Sequence, residues 1–200
     1  GTIHGNFLLN APAQFSAQLL ELIGWIGQDV ITIFRTHRRV VSVSETTKSR
    51  VRFALVTGAA RRIGACIAET LHQRGCDVFL HYHNSDAAVN QLADRLNALR
   101  PASATVVQAD LGVTEDIERL AEHVRARTGQ LYLLVNNASK FFPTAVGSTT
   151  MTQWDELMDS NLRGPYFLTQ ALLPELTIAG GSVINLLDLH ASRPMHQHAV

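Results

Sequence analysis

The sequence predicts an α/β protein, a doubly wound parallel sheet of Rossmann type with helices on both faces, preceded by an N-terminal extension. Three observations carry that prediction. From Val51 onward, five short runs of β-branched and other apolar residues alternate with longer amphipathic stretches. The runs are almost continuously apolar, as strands buried on both faces must be. A glycine-bearing loop joins the first run to the first amphipathic stretch, which is where such folds hold an anion.

The predicted strands are 51–57, 77–82, 104–108, 131–136 and 182–187. Between them, helical spacing puts Ile63, Ile67, Thr70 and Leu71 on one buried face. Val89, Leu92, Leu96 and Leu99 make a second face, and Ile117, Leu120, Ala121 and Val124 a third. Thr114 with Glu115 and Asp116 reads as a helix start, since carboxylates suit the positive end of the helix dipole. Gly75 and Gly129 stand where two helices should stop, and Pro101 follows another. Strand and helix repeated in this order imply right-handed crossovers and a parallel sheet.

Residues 1–48 do not join that pattern. Phe15, Leu19, Leu22, Ile26, Val30 and Ile33 recur at three- and four-residue steps, predicting one amphipathic helix, and Arg35, His37, Arg38 and Arg39 follow it. Two readings stay open: a helix that binds a partner or a membrane surface, and non-native read-through from upstream of a start near Val43. The predicted division is an extension over 1–48 and a dinucleotide-binding domain over 49–200.

The 200 residues hold 17 basic and 17 acidic side chains, and 46% are hydrophobic. That composition suits a folded globular domain. The zero balance argues against a nucleic-acid partner, whose phosphates call for a basic surplus. Cys66 and Cys76 are too few for a disulfide scaffold and lack metal-ligand spacing, so no metal and a cytoplasmic setting are expected. No run approaches the roughly 18 apolar residues of a membrane span, and no secretory signal is present.

The loop reads Val56-Thr57-Gly58-Ala59-Ala60-Arg61-Arg62-Ile63-Gly64. Gly58 permits a tight turn, Gly64 lets helix and strand pack closely, and the helix N-terminus offers N–H groups to a pyrophosphate. The second strand ends Tyr82-His83-Asn84-Ser85, with no acid before Asp86. An acid there would bind the ribose hydroxyls of NAD and repel a phosphate, so its absence favours NADPH.

These residues resemble the short-chain dehydrogenase/reductase family, whose loop is TGxxxGxG. Arg62 replaces the middle glycine, giving the TGxxxRxG form of the family's pteridine reductases, and His81-Tyr82-His83-Asn84-Ser85 is similar to their HYHRS segment. The resemblance implies that Arg62, His83 and Ser85 surround the 2′-phosphate of NADPH, beside Ile63 and Tyr82, with Asn84 in place of an arginine and a weaker grip. It also implies that Asp110, with Leu111, meets the adenine, and that Asn137, Ala138 and Ser139 line the cofactor in a turn matching NNAG. Ser139 in place of the glycine is again a pteridine reductase trait.

For the reaction, the resemblance makes Asn161 the helix asparagine of a proton relay. It puts Asp188 at the position of the catalytic Ser, another pteridine reductase substitution. A carboxyl beside a dry nicotinamide pocket would have its ionised form disfavoured and could donate or relay a proton. Phe141 would stack on the pterin, with Ser139 nearby. The family's Tyr falls thirteen residues after this Asp, at position 201, and its Lys four beyond. The 200 residues are therefore expected to be an inactive portion of a longer reductase, tetrameric when complete. The missing final strands would leave an open sheet edge. The first functional expectation is NADPH-dependent reduction of a pterin such as a dihydropterin or dihydrofolate. The alternatives are a reductase of a carbonyl substrate such as a 3-oxoacyl thioester, and a non-catalytic cofactor-binding fragment.

Overall fold

The computed structural model describes the backbone of residues 31–35 and, in full, residues 51–188 and 195–200. Strand β1 (Ile31–Arg35) precedes β2 (Arg52–Val56), α1 (Arg62–Gln73), β3 (Cys76–Tyr82), α2 (Asp86–Leu99) and β4 (Ala104–Gln108). Then come α3 (Thr114–Thr128), β5 (Leu133–Asn136) and α4 (Met151–Met158). A π-helical turn (Asp159–Arg163) leads into α5 (Gly164–Ala171), α6 (Leu173–Ala179) and β6 (Ser182–Leu186). The sheet order is β1-β6-β5-β2-β3-β4. Strands β2 to β6 are mutually parallel, and β1 lies antiparallel on β6 with Ile31 opposite Leu186. Among the described residues, no helix is long and apolar enough to cross a membrane.

The apolar runs form strands because each supplies two cores at once. Successive side chains of a strand point to opposite faces. Ala54, Val56, Val78, Leu80, Leu133, Val135 and Ile184 pack with Ile67 and Leu71 of α1 and Val89, Leu92 and Leu96 of α2. The alternate residues Leu55, Phe79, Leu134 and Val183 pack on the other face. Their partners there are Ile117, Leu120 and Val124 of α3, Leu168 of α5 and Leu176 of α6. The five predicted strands all form, within two residues of their predicted bounds.

Four expectations change. Residues 31–35, placed by helical spacing on an amphipathic helix, form β1; Ile-Thr-Ile-Phe-Arg is rich in β-branched residues. The rest of that predicted helix lies outside the described residues. The edge of β6 expected to be open is paired by β1. Ile63 is half exposed at the start of α1, and Leu99, the last residue of α2, is largely exposed past the sheet. Helix α3 does start at Thr114, but its cap is Val113 with no side-chain bond. Asp116 instead accepts the backbone N–H of Asp110 at 2.8 Å, tying the helix to the turn after β4. That bond holds the Asp116 carboxyl below its usual range.

The tightest glycine contact among the described residues fixes α1 against β2. A Cβ added to Gly64 would stand 2.2 Å from the carbonyl oxygen of Gly58 and 2.5 Å from Nδ2 of Asn137. The first of these is backbone and cannot swing away. Gly64→Ala should therefore destabilise the fold by about 2 kcal/mol or more, read from the midpoint of a urea melt. An unchanged midpoint would contradict the close packing of loop and helix.

Candidate functional site

In the order β4-β3-β2-β5-β6 the chain leaves β2 in opposite directions, so a crevice opens between the C-terminal ends of β2 and β5. Thr57, fully buried one residue past β2, closes its floor. Its Oγ1 accepts the N–H groups of Asn137 and Ala138, both at 2.9 Å, and donates to the Val135 carbonyl at 3.3 Å. The Asn137 amide returns the tie, donating to the carbonyl oxygens of Thr57 at 2.7 Å and Gly58 at 3.2 Å. On the other side, the buried His81 ring joins the loop after β2 to the turn after β4. Its Nδ1 accepts from the Gly58 N–H at 3.2 Å and its Nε2 donates to the Ala109 carbonyl at 3.1 Å.

Above this floor lies a cleft of about 660 Å³ that gathers every residue predicted to bind the cofactor. Gly58, Arg62, Ile63 and Gly64 come from the loop and α1, and Tyr82, His83, Asn84 and Ser85 from the end of β3. Asp110 and Leu111 follow β4; Asn137, Ala138 and Ser139 follow β5. Arg62 sits in the left-handed region at φ +52°, a conformation that favours glycine. Ser85 caps α2 without spending its hydroxyl on a capping bond. Asn84 donates to His83 Nδ1 at 3.3 Å, and His83 Nε2 stands 3.6 Å from an oxygen of Asp110. The other Asp110 oxygen accepts from the Gly112 N–H at 2.9 Å. Asp159 and Glu156 on the far wall are paired with Arg163 and Lys140. Arg61 and Arg62 line the cleft from the loop and His83 from the end of β3, facing Asp110, with Asp155 on the far wall beside those two acids.

A second cleft, of about 950 Å³, continues from the first. The two share Ile63, Asn137, Ala138, Ser139 and Lys140. Phe141, Asn161 and Asp188 all line the second. Phe141 is 55% exposed, so it is not a core aromatic under a loop. One of its faces stacks on His198 (centroids 4.6 Å apart, planes at 14°). Asn161 lies in the π turn, and its amide is committed to the Lys140 backbone: Oδ1 accepts the N–H and Nδ2 donates to the carbonyl, each at 2.9 Å. Its side chain therefore holds the turn that carries Ser139 and Phe141. Asp188 is exposed and lines the second cleft. Beneath, Asn136 donates to Asn185 at 2.8 Å and to Thr169 at 3.3 Å, linking β5, β6 and α5.

Thr57, His81 and Lys140 are the site residues that sequence reasoning missed. Thr57 and His81 sit inside the quoted motifs, and their signal was a polar residue at the end of an otherwise apolar strand. Lys140 carried no signal, because its place between the clefts follows from the fold of the turn.

The buried imidazole gives a pH test. Burial lowers the His81 pKa from 6.5 to about 4, against the opposing pull of its bond to Ala109; His83 adds to the lowering and Asp110 opposes it. These are the charged groups facing it from β3 and the turn after β4, and Arg61 and Arg62 line the same cleft from the loop. The unfolded chain takes up a proton below pH 6.5 that the folded chain refuses until about pH 4. The stability contributed by the neutral ring is present above pH 6.5 and lost as pH falls toward 4, by about 3 kcal/mol. Urea melts between pH 7 and 4 should show a flatter decline in His81→Gln than in the parent. Equal slopes would contradict a neutral buried ring. His72, also lowered by burial, titrates alike in both proteins.

Residues 52–200 match the family model for short chain dehydrogenase. The chain is 34% identical to pteridine reductase 1 of Leishmania tarentolae, over 75% of its own length and 65% of that protein's. It is 32% identical to an uncharacterised oxidoreductase of Staphylococcus epidermidis, over 76% of its length and 65% of the relative's. It is also 36% identical to the short-chain dehydrogenase/reductase FrzI of a Cladobotryum species, over 69% and 53%. The chain thus spans about 65% of the first two relatives. The family match over residues 52–200, on a doubly wound sheet with its crevice at the switch point, makes this chain a member of the short-chain dehydrogenase/reductase family.

Proposed function

We propose that this chain forms the cofactor-binding part of an NADPH-dependent reductase acting on a pterin. The carrying observation is the pair of continuous clefts that meet at Ser139, one lined by the glycine loop with Arg62, His83 and Ser85 and the other walled by an exposed aromatic. Membership of the family implies a nicotinamide cofactor, and the residues present fit one. Gly58 and Gly64 leave no room for a side chain, so the first turn of α1 lies against the loop and turns its unpaired N–H groups to the cleft. No acid stands between Tyr82 and Ser85 to oppose a 2′-phosphate, and Arg62, His83 and Ser85, which line the same cleft, are the residues proposed to hold it.

When bound, the nicotinamide cofactor supplies a hydride. The chain's own residues then divide the remaining work. Asn137, Ala138 and Ser139 form the wall common to both clefts, where cofactor and substrate would meet. Phe141, which lines the second cleft, is the aromatic ring proposed to stack on a flat heterocycle. Asn161 fixes the turn beneath both through Lys140. Asp188, at the lip of the second cleft, is the carboxyl group proposed to relay a proton to the substrate. The name of the Leishmania relative, pteridine reductase 1, supports the pterin reading. The alternative of a 3-oxoacyl thioester fits less well, because Asp188 stands where the family's carbonyl reductases carry a Ser that donates a hydrogen bond to the carbonyl oxygen.

Two tests follow. In the protein that carries this chain, dihydrobiopterin should be turned over with NADPH far faster than a 3-oxoacyl thioester, and Asp188→Ala should lower kcat by about a hundredfold. Preference for the thioester, or an unchanged kcat, would refute the assignment. In the chain itself, Arg62→Gly should weaken NADPH binding by about tenfold and leave NADH binding unchanged. It should also raise stability by about 1 kcal/mol, because glycine accepts a left-handed backbone. Loss of affinity for both cofactors alike would contradict a 2′-phosphate contact.

A further inference from the structure

One buried titratable group is used by none of the roles above. His81 is 2% exposed, at the penultimate position of β3, between two turns that both line the first cleft. It takes up two successive N–H groups of the loop after β2. The Gly58 N–H donates to the ring at Nδ1 (3.2 Å), and the Ala59 N–H donates to the His81 backbone carbonyl (2.8 Å). The opposite ring nitrogen donates to the Ala109 carbonyl, one residue before Asp110.

We propose that His81 is a positioning residue for the dinucleotide: it draws the first two amides of the loop down into the sheet and holds the turn before Asp110 at the same level. The consequence is selective. With the Gly58 and Ala59 amides committed to His81, the N–H groups left for a pyrophosphate are those further along the loop and in the first turn of α1, from Ala60 to Gly64. The same ring sets the height of Asp110 against His83 on the other side of the cleft. Only the tautomer with hydrogen on Nε2 does both, since Nδ1 must accept and Nε2 must donate. This inference rests on the cleft being a dinucleotide site.

Two replacements separate the halves of the ring. In His81→Asn the amide oxygen takes the place of Nδ1 and keeps an acceptor for Gly58. In His81→Gln the longer side chain puts its amide near Nε2, keeping a donor for Ala109 and losing the acceptor for Gly58. NADPH binding to the full chain should weaken by about tenfold in His81→Gln and by less than about threefold in His81→Asn, the difference being one hydrogen bond at the loop. Hydrogen exchange of the Gly58 amide should accelerate in the Gln variant and stay slow in the Asn variant. A role in stability alone would move affinity in step with the melting temperature. Equal affinity losses in the two variants, or equal Gly58 exchange, would overturn the proposal. A parent chain that bound neither NADPH nor NADH would instead overturn the proposed function and the dinucleotide half of this inference. The Gly58 exchange would still report on the ring's hold of the loop.

Discussion

Both clefts depend on how the ends of three neighbouring strands are tied without closing the crevice between them. At the C-terminal ends of β2, β3 and β5 the backbone leaves the sheet, and its N–H and C=O groups lose their ladder partners. Buried groups of that kind must be paired again. Thr57, Asn137 and His81 do so with side chains, each serving groups from a neighbouring strand's turn. The Thr57 hydroxyl alone takes two backbone N–H groups of the turn after β5. These bonds use up the inner N–H groups of the loops and leave the first turn of α1 to face a ligand.

The same arrangement explains why the two clefts are continuous. The turn 137–140 is pinned from beneath by Thr57 and from the side by Asn161, so its residues form a rigid wall common to both spaces. The π turn is what puts the Asn161 amide level with the Lys140 backbone, and such a widened turn often marks a functional place in a helix. A long cofactor lying across this wall would have its phosphates near α1 and its reactive end near Phe141 and Asp188. On the proposed reading the clefts are one site with two ends, and changes in the shared turn should be felt at both.

Much of this was legible in the sequence, and the reasons differ by element. The strands were readable because a strand buried on both faces has no polar alternation to confuse it with a helix. Their C-terminal residues were readable because polar groups such as Asn136, Asn137 and His83 interrupt apolar runs at the ends that face the crevice. Arg62 and Gly64 were legible through their spacing in the loop. By contrast, Ile31–Arg35 is only five residues long and β-branched, so a helical period fitted through Ile33 misled. The exposure of Asp188 depends on what packs over the lip of the cleft, which no local pattern encodes. His81 went unread because its motif drew attention to its neighbours, while its burial and its two bonds are tertiary facts.

The central claim is that this crevice binds a dinucleotide and prefers the phosphorylated form. Calorimetric titration of the chain with NADPH and with NADH, each at low and moderate salt, tests it directly. The account predicts saturable one-to-one binding, tighter for NADPH by about tenfold at low salt, with the advantage shrinking as salt screens the Arg62 and His83 contacts. Absence of binding by either cofactor, or equal affinity that ignores salt, would contradict it.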